Sequence, residues 1–272
     1  MIKENVLYPI VNPKLFQGIL SPSKGILLFG PPGTGKTMLG QAIADNMSAT
    51  FFSISATSLT SKWVGEGEKM VRIMFAVAKQ AEPSVIFIDE IDSLLSARKS
   101  DGESEASRRM KNQFLVEMEG CGDVDEARLL IVGATNRPEE IDGAARRRLP
   151  KQIYVPLPDK EARSELLLSQ LKKSSMGHTL NDIEIDALVQ KSEGYSGSDL
   201  RHVCQEAAML VLRKHFEDNK ISDINLLSVE SEDLRPISYP DVVHGLETHP
   251  KSVSESEVVR YEKYNHDFGT KG

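Results

Sequence analysis

A glycine-rich segment at residues 30–37 carries the clearest chemistry in this chain of 272 residues. Its sequence, Gly-Pro-Pro-Gly-Thr-Gly-Lys-Thr, has the spacing of a phosphate-binding loop that precedes a helix. Glycine permits the turns that aim backbone N–H groups at phosphate oxygens, and a helix N-terminus attracts the same anion. Lys36 would neutralise the β and γ phosphates, and the Thr37 hydroxyl would bind Mg²⁺. The predicted nucleotide contacts are Gly30, Pro31, Pro32, Gly33, Thr34, Gly35, Lys36, Thr37 and Met38.

Two adjacent carboxylates, Asp89 and Glu90, follow the apolar run 85–88. Ligands of parallel sheets bind at the carboxyl ends of the strands. There Asp89 would hold Mg²⁺ through water, and Glu90 would orient and polarise the attacking water. Such a run alone also fits a strand end with a solvated turn. Together with the glycine loop, however, it predicts a nucleoside triphosphatase.

Hydrolysis also needs a group that contacts the γ phosphate and a cation that neutralises the developing charge. Asn136 follows the apolar run 129–132 and offers an amide for the first role. The arginines at 146–148 could supply the second. Three adjacent arginines more often form a solvated basic patch, and only the neighbouring motifs favour a catalytic role here.

Apolar runs alternate with helical patterns in the first part of the chain. This alternation implies a parallel sheet covered by helices. We predict strands at 25–29, 51–55, 85–88, 129–132 and 153–155, and helices at 36–48 and 67–80.

After residue 158 the strand pattern stops and helical patterns follow. We predict helices at 159–171, 182–191, 198–216, 238–247 and 255–268, with Ser198 as an N-cap. The predicted fold class is α/β: a P-loop NTPase parallel sheet with flanking helices, followed by a small all-helical lid domain. The predicted boundaries are a lead-in at 1–24, the nucleotide-binding domain at 25–158, the lid at 159–250 and a C-terminal helix at 251–272.

The composition excludes several classes of protein. The formal net charge of −7 argues against non-specific nucleic-acid binding, which needs clustered cations. No apolar run is long enough for a bilayer span, and the N-terminus has no secretory pattern. The two cysteines have no partners at metal spacing, so we expect neither a zinc site nor a disulfide framework.

Four further motifs carry a family resemblance: Thr-Ser-Lys-Trp-Val-Gly-Glu-Gly-Glu-Lys at 60–69, Ile-Asp-Glu-Ile-Asp-Ser-Leu-Leu at 88–95, Glu-Ala-Ser-Arg-Arg at 105–109 and Gly-Tyr-Ser-Gly-Ser-Asp-Leu at 194–200. With them the chain resembles AAA ATPases of the meiotic group, which includes katanin, spastin, fidgetin and the vacuolar-sorting ATPases. Segments 53–56, 61–64 and 142–148 are most similar to the fidgetin-like branch.

The resemblance implies a homohexameric ring that binds ATP and Mg²⁺ between neighbouring subunits. Arg147 and Arg148 look like arginine fingers for the next subunit's γ phosphate, and Arg109 like a further interface residue. Asn136 matches the family's sensor. Gly197 and Ser198 match the segment whose backbone faces the adenine.

Such rings thread a polypeptide through their centre with an aromatic loop, which here would be Lys62, Trp63 and Val64. A lone tryptophan is most often a core residue. Its flexible, hydrophilic surroundings, together with the resemblance, favour the pore role. Residues 98–103 would line a second pore loop, or else form a solvated surface turn.

Three features depart from the family pattern. The chain begins within the lead-in, so we expect a catalytic fragment without its targeting region. After the predicted fingers, Gln152 stands where relatives often carry a second basic residue, and Pro150 adds a stiff point. Tyr264 stands where tryptophan is common, and we expect its packing role to be kept.

The main functional hypothesis is a magnesium-dependent ATPase that remodels or disassembles protein assemblies by pulling on a chain segment. The alternatives are an ATP-dependent assembly switch or scaffold without threading, and a nucleic-acid translocase. The acidic balance argues against the translocase and against sequence-specific nucleic-acid binding. The resemblance points to two substrates, microtubules with their tubulin tails or recombinase filaments. It places the protein in the nucleus, with the cytoplasm as a second compartment; no membrane partner is expected.

Overall fold

A computed structural model describes residues 23–62, 66–96, 105–120, 129–219 and 233–271, together with Tyr8 and Leu15. The strands are β1 (Gly25–Phe29), β2 (Thr50–Ser55), β3 (Ser84–Asp89), β4 (Leu129–Thr135) and β5 (Lys151–Tyr154). The helices are α1 (Lys36–Asn46), α2 (Ala56–Lys62), α3 (Gly67–Gln80), α4 (Asp92–Leu95), α5 (Glu105–Gly120), α6 (Gly143–Arg148), α7 (Lys160–Lys173), α8 (Asp182–Lys191), α9 (Gly197–Asn219), α10 (Tyr239–Thr248) and α11 (Glu255–Phe268).

The five strands form one parallel sheet in the order β2-β3-β4-β1-β5. Strand β1 pairs with β4 and β5, so the strand that leads into the glycine loop lies inside the sheet. Its residues are buried throughout, as expected for a parallel strand that is covered on both faces. The α/β class predicted from the alternating pattern is confirmed.

Alternating side chains of the strands supply two apolar cores, one on each face of the sheet. Leu27, Ile86 and Ile131 belong to a core that also contains Phe75 of α3 and Phe114 of α5. Residues adjacent to these on the same strands, Ile26, Phe87 and Val132, belong to a second core with Ile43 of α1. This two-residue period follows from the pleat of a β-strand. It makes the sheet the rigid base of the site.

Four helices of the sheet unit were not predicted: α2, α4, α5 and α6. Helix α5 did carry a signal, because Met110, Phe114, Leu115 and Met118 are buried at helical spacing. Helices α4 and α6 have four and six residues, too short for a periodic pattern to be read. A 3-10 turn at Pro138–Glu140 also lies between β4 and α6.

The chain folds into two compact units. The sheet unit comprises 1–30, 35–155 and 259–272, and the helical unit comprises 31–34 and 156–258. The core of the helical unit is formed by α7 to α10 around residues such as Leu171, Leu188 and Val203. The end of α11 belongs to the sheet unit, where Tyr261 and Tyr264 pack with Phe29. No helix among the described residues is both long and apolar enough to cross a membrane.

The N-cap prediction for α9 is wrong by two residues. Ser198 lies within the helix, and Ser196 caps it: its Oγ accepts a hydrogen bond from the N–H of Asp199 (3.2 Å). In turn, the Asp199 carboxylate accepts a hydrogen bond from the N–H of Ser196 (2.9 Å). This reciprocal pair satisfies N–H groups at the start of the helix. Ser198 cannot take this role, because it already lies within the helix.

Candidate functional site

The predicted catalytic motifs follow three neighbouring strands. The glycine loop follows β1, Asp89 ends β3, and Asn136 follows β4, which lies between the other two strands. The register pairs Phe29 of β1 with Thr135 of β4, so these two strands end at the same level. Parallel pairing therefore brings the three motifs to one edge of the sheet, although they lie far apart in the sequence.

The glycine loop has the backbone that its composition predicts. Gly33 and Gly35 have φ angles of +73° and +87°, in the region that strongly favours glycine. Lys36 opens helix α1, and its Nζ donates to the carbonyl oxygen of Gly30 at 3.0 Å. Burial lowers the pKa of Lys36 to about 8, and the charge of Asp89 opposes this shift. A buried ammonium group thus lies against the loop and favours an anionic ligand.

One oxygen ligand from helix α1 and one from strand β3 meet beside this lysine. The Thr37 hydroxyl donates to Asp89 Oδ2 at 3.2 Å. Hydroxyl and carboxylate oxygens are the donors that Mg²⁺ prefers, with waters and phosphates filling the other positions. The two residues predicted to hold the metal are therefore adjacent, and their chemistry fits Mg²⁺.

Glu90 is held in an uncommon backbone conformation. Its φ is +51°, which non-glycine residues rarely adopt. Its N–H donates to Asp89 Oδ1 at 2.9 Å, and its Oε2 accepts from the hydroxyl of Thr57 at 2.9 Å. Thr57 lies in the first turn of α2, the helix that ends at Lys62. Backbone strain of this kind is concentrated at functional sites, and here it aims a carboxylate next to the predicted metal ligand.

Asn136 offers an amide with free hydrogen-bonding capacity. Its Oδ1 is buried and has no hydrogen-bond partner among the described residues. Buried polar atoms without partners are uncommon in proteins. An amide in this place can donate to a phosphate oxygen and accept from a water. Like the buried Lys36, it is what a triphosphate site requires.

The three adjacent arginines have different surroundings. The Arg146 guanidinium packs over the rings of Tyr264 and Phe268, at 5.9 and 4.9 Å from their centroids, and donates to the Ile141 carbonyl. Arg147 is exposed. Arg148 forms an ion pair with Glu119 of α5, while its buried Nε has no partner among the described residues. Arg146 therefore anchors α6. Of the two predicted fingers, Arg147 is exposed to solvent, whereas Arg148 is held by its ion pair with Glu119.

Within the helical unit, the predicted adenine-facing residues contact the glycine loop. The N–H of Ser198 donates to the carbonyl oxygen of Gly33 at 3.1 Å. A Cβ on Gly33 would lie 2.7 Å from Ser196 Oγ, and one on Gly197 would lie 3.2 Å from the Gly33 carbonyl oxygen. A side chain at Gly33 would therefore collide with the side chains of Ser196 and Ser198, whereas one at Gly197 would require the neighbouring backbone to shift by a few tenths of an ångström.

The remaining predicted residues are less constrained. Met38 is 76% exposed, and Arg109 forms an exposed ion pair with Glu105 one helical turn away. Trp63, Val64 and the second loop at 98–103 lie outside the described residues, and of Lys62 only the backbone is described, at the end of α2. Their roles stay predictions.

Sequence reasoning missed three contact residues of the site. Thr57 contacts Glu90, Asp92 accepts from the Thr135 hydroxyl at 2.6 Å, and Tyr261 donates to the Asn136 carbonyl at 2.6 Å. Asp92 lies within the quoted motif at 88–95 but had no assigned role, and Tyr261 lies within the predicted helix at 255–268. No sequence signal links Tyr261 to Asn136, because 125 residues separate them.

Comparison with known families and structures agrees with this geometry. Residues 26–157 match the ATPase family associated with various cellular activities (AAA), and residues 182–226 match the AAA+ lid domain. A structure of the FIGL-1 AAA domain in complex with ADP is similar with a TM-score of 0.88 and 42% identity, over 99% of this chain and 87% of that one. A katanin structure described as the basis of its self-assembly has a TM-score of 0.81 and 37% identity, over 97% of this chain and 85% of that one.

Two curated relatives are 50% identical to this chain. ATPase family AAA domain-containing protein FIGL1 of Arabidopsis thaliana matches 99% of the chain, and fidgetin-like protein 1 of Homo sapiens matches 98%. The chain spans only 39% and 38% of their lengths. The chain belongs to the AAA family of ATPases, in the group that contains the fidgetin-like proteins and katanin.

Proposed function

We propose that this chain hydrolyses ATP with Mg²⁺ and uses the energy to remodel or disassemble protein assemblies. The observation that carries the proposal is the meeting of Lys36, Asp89 and Asn136 at the ends of three adjacent strands, with Glu90 beside them. An anchoring cation, a metal ligand, a water-polarising carboxylate and a γ-phosphate contact are the parts that this reaction needs.

Each residue then has one task in the reaction. Lys36 and the loop N–H groups hold the phosphates, and Asn136 contacts the γ phosphate and the attacking water. The Glu90 carboxylate orients that water and accepts its proton as the oxygen bonds to the γ phosphorus; the bond between the γ phosphorus and the bridging β-phosphate oxygen breaks, and ADP and inorganic phosphate are released. Bound at Thr37 and Asp89, Mg²⁺ would supply neutralisation of charge on the β and γ oxygens. An arginine from a second copy would neutralise the remaining charge, and Arg147 is the leading candidate for this role.

The substitution Glu90→Gln tests the enzymatic part of the proposal. Glutamine keeps the size of the side chain but is a far weaker base, so we expect turnover to fall by about 100-fold or more while ATP binding is retained. Phosphate release and binding of a fluorescent ATP analogue would be measured in parallel. Glu193→Gln, an exposed change in the helical unit, is the matched control and should leave both unchanged. Normal hydrolysis by Glu90→Gln would refute the assignment.

The self-assembly described for katanin, together with the exposed Arg147, supports assembly of this chain into a homohexameric ring. We propose that the ring threads a polypeptide and grips it with Lys62, Trp63 and Val64. Helix α2 joins this segment to the site, because its first turn carries Thr57, which contacts Glu90.

The substitution Trp63→Ala tests the threading role. Removal of the indole side chain should abolish remodelling, because the apolar contact with the substrate is lost. Basal hydrolysis should be spared, because Trp63 does not belong to the phosphate site. Both rates would be measured on the same preparation. If remodelling persisted, Trp63 would not be the gripping residue.

The substrate proposal names two filaments, microtubules with their acidic tubulin tails and recombinase filaments. Cations such as Lys62 would suit acidic tails by charge attraction. A nuclear location, with the cytoplasm as a second compartment, follows from the same proposal. Incubating the full-length protein with ATP and each filament would show which one shortens. A motor should also hydrolyse ATP faster with its substrate, whereas a switch without threading should not.

A further inference from the structure

The segment that carries Asn136 is fixed by side chains on its N-terminal side. Thr135 ends β4, and its hydroxyl donates to Asp92 Oδ1 at 2.6 Å. The same hydroxyl oxygen accepts from the N–H of Arg137 at 2.8 Å. These bonds shape the turn around Asn136, but they do not touch its own peptide carbonyl.

The carbonyl is held by the C-terminal helix. The hydroxyl of Tyr261, in α11, donates to the Asn136 carbonyl oxygen at 2.6 Å. The Tyr261 side chain is only 2% exposed, and its ring stacks on Tyr154 at a centroid distance of 6.5 Å. Its aromatic packing limits the motion of the hydroxyl, so the hydrogen bond has a defined direction.

A second contact brings α11 to the same turn. Arg260 forms an ion pair with Glu139 at 3.4 Å, three residues after Asn136. The Arg260 guanidinium also lies over the Tyr261 ring at 5.1 Å. The helix therefore contacts the turn after β4 at two successive points, one of them the backbone of Asn136 itself.

We propose that Tyr261 is a positioning residue for Asn136. The inference rests on the proposed ATPase activity, because the direction of the Asn136 amide matters only if this amide contacts a γ phosphate. A bond to the peptide carbonyl fixes the plane from which the side chain projects, and the buried Oδ1 offers no second anchor among the described residues. Reacting groups must be held within a fraction of an ångström, so loss of this bond should affect catalysis.

Tyr264 provides a matched control on the same helix. Its hydroxyl donates to Gln152 Oε1 at 2.8 Å, and the tyrosine is 7% exposed. The change Tyr264→Phe removes the same atom from the same helix and leaves a buried acceptor without its donor. A merely structural role of these hydroxyls would make the two variants behave alike.

The experiment compares Tyr261→Phe with Tyr264→Phe in steady-state hydrolysis, ATP binding and thermal unfolding. We expect Tyr261→Phe to lower kcat on the order of tenfold, with KM and ATP affinity within about twofold of the parent. Tyr264→Phe should keep its kcat although it too loses a buried hydrogen bond. Equal kcat values for the two variants would overturn the proposal.

A double substitution tests whether Tyr261 acts through Asn136. If it does, Tyr261→Phe should have no further effect on kcat once Asn136→Ala is present, so the two changes are not additive. Full additivity would overturn the inference. If the parent chain hydrolyses ATP normally while Tyr261→Phe equals Tyr264→Phe, only this inference fails; if the parent with Mg²⁺ and substrate has no activity, the proposed function fails.

Discussion

At the scale of single residues, the site depends on groups whose ordinary properties are changed by their surroundings. Lys36 is buried, and Glu90 has a positive φ. Both cost free energy in the folded chain, because burial opposes charge and a side chain opposes that backbone angle. Both residues also hold their functional group beside Asp89, the predicted metal ligand.

Lys36 should make nucleotide binding depend on pH. Its pKa is lowered to about 8, so the free chain loses this charge as the pH rises through 8, whereas bound phosphates favour the charged form. Binding should therefore take up a proton above pH 8, and ADP affinity should fall by up to about tenfold per pH unit there. Calorimetry in two buffers of different ionisation enthalpy measures both effects.

The control for this prediction is Lys36→Arg, because arginine stays charged over the whole range. The ADP affinity of this variant at each pH is compared with its own value at pH 7. A slope that persists in this variant, or a flat affinity for the parent between pH 7 and 9.5, would show that Lys36 is not the titrating group.

At the scale of elements, short helices determine where the arginines lie. Helix α6 is capped by Asp142, whose Oδ1 accepts from the N–H of Ala144 at 2.7 Å, and Lys111 of α5 pairs with the same carboxylate at 3.0 Å. Packing of Arg146 on the aromatic rings of α11 fixes the other side of the helix. The exposed Arg147 is thus presented by a helix that is anchored on both sides.

The helical unit offers a prediction on packing. Helices α9 and α10 approach closely at Gly245, where an added Cβ would lie 2.5 Å from the carbonyl oxygen of Val203. Gly245→Ala must push the two helices apart, so the free energy of unfolding should fall by about 1–3 kcal/mol. Urea unfolding followed by circular dichroism measures it.

Gly120→Ala is the matched control for this packing prediction. Among the described residues, no atom lies within 4 Å of a Cβ added at Gly120, the last residue of α5, so the substitution should be neutral or slightly stabilising. If Gly245→Ala were as stable as the control, the close approach of α9 and α10 would not limit this position.

At the scale of the whole molecule, we expect a second copy of the chain to complete the proposed site. Glu90 and Arg147 would then serve different sites, Glu90 its own and Arg147 a neighbour's. Mixing Glu90→Gln with Arg147→Ala should restore hydrolysis above the sum of the separate rates, because some mixed assemblies contain one intact site. Phosphate release against mixing ratio, after subunit exchange, measures this complementation.

The control mixture is Glu90→Gln with Lys36→Ala. Both changes damage the same site, so no combination of these subunits creates an intact one and no activity should return. Recovery in this mixture would point to contamination or subunit repair rather than shared sites. Absence of recovery with Arg147→Ala, although mixed assemblies form, would contradict a finger supplied by that residue.

Local pattern was enough to predict much of the architecture. The strands at β1 and β3, the helices α1, α3 and α8, and the order of phosphate and carboxylate motifs followed from apolar runs, glycine spacing and helical periodicity. Short helices such as α4 and α6 were not predicted, because four to six residues hold less than two turns of pattern. The cap of α9 was misplaced because two serines, Ser196 and Ser198, offer the same chemistry.

The sequence by itself determined which residue types the site contains, because phosphate, Mg²⁺ and water each require particular groups at nearly fixed spacing. Only the tertiary structure decided their supporting contacts. Tyr261 with Asn136, Thr57 with Glu90 and Arg148 with Glu119 join residues 125, 33 and 29 positions apart. Such contacts depend on strand order and on how helices pack against the sheet, and no local pattern of side chains encodes either one.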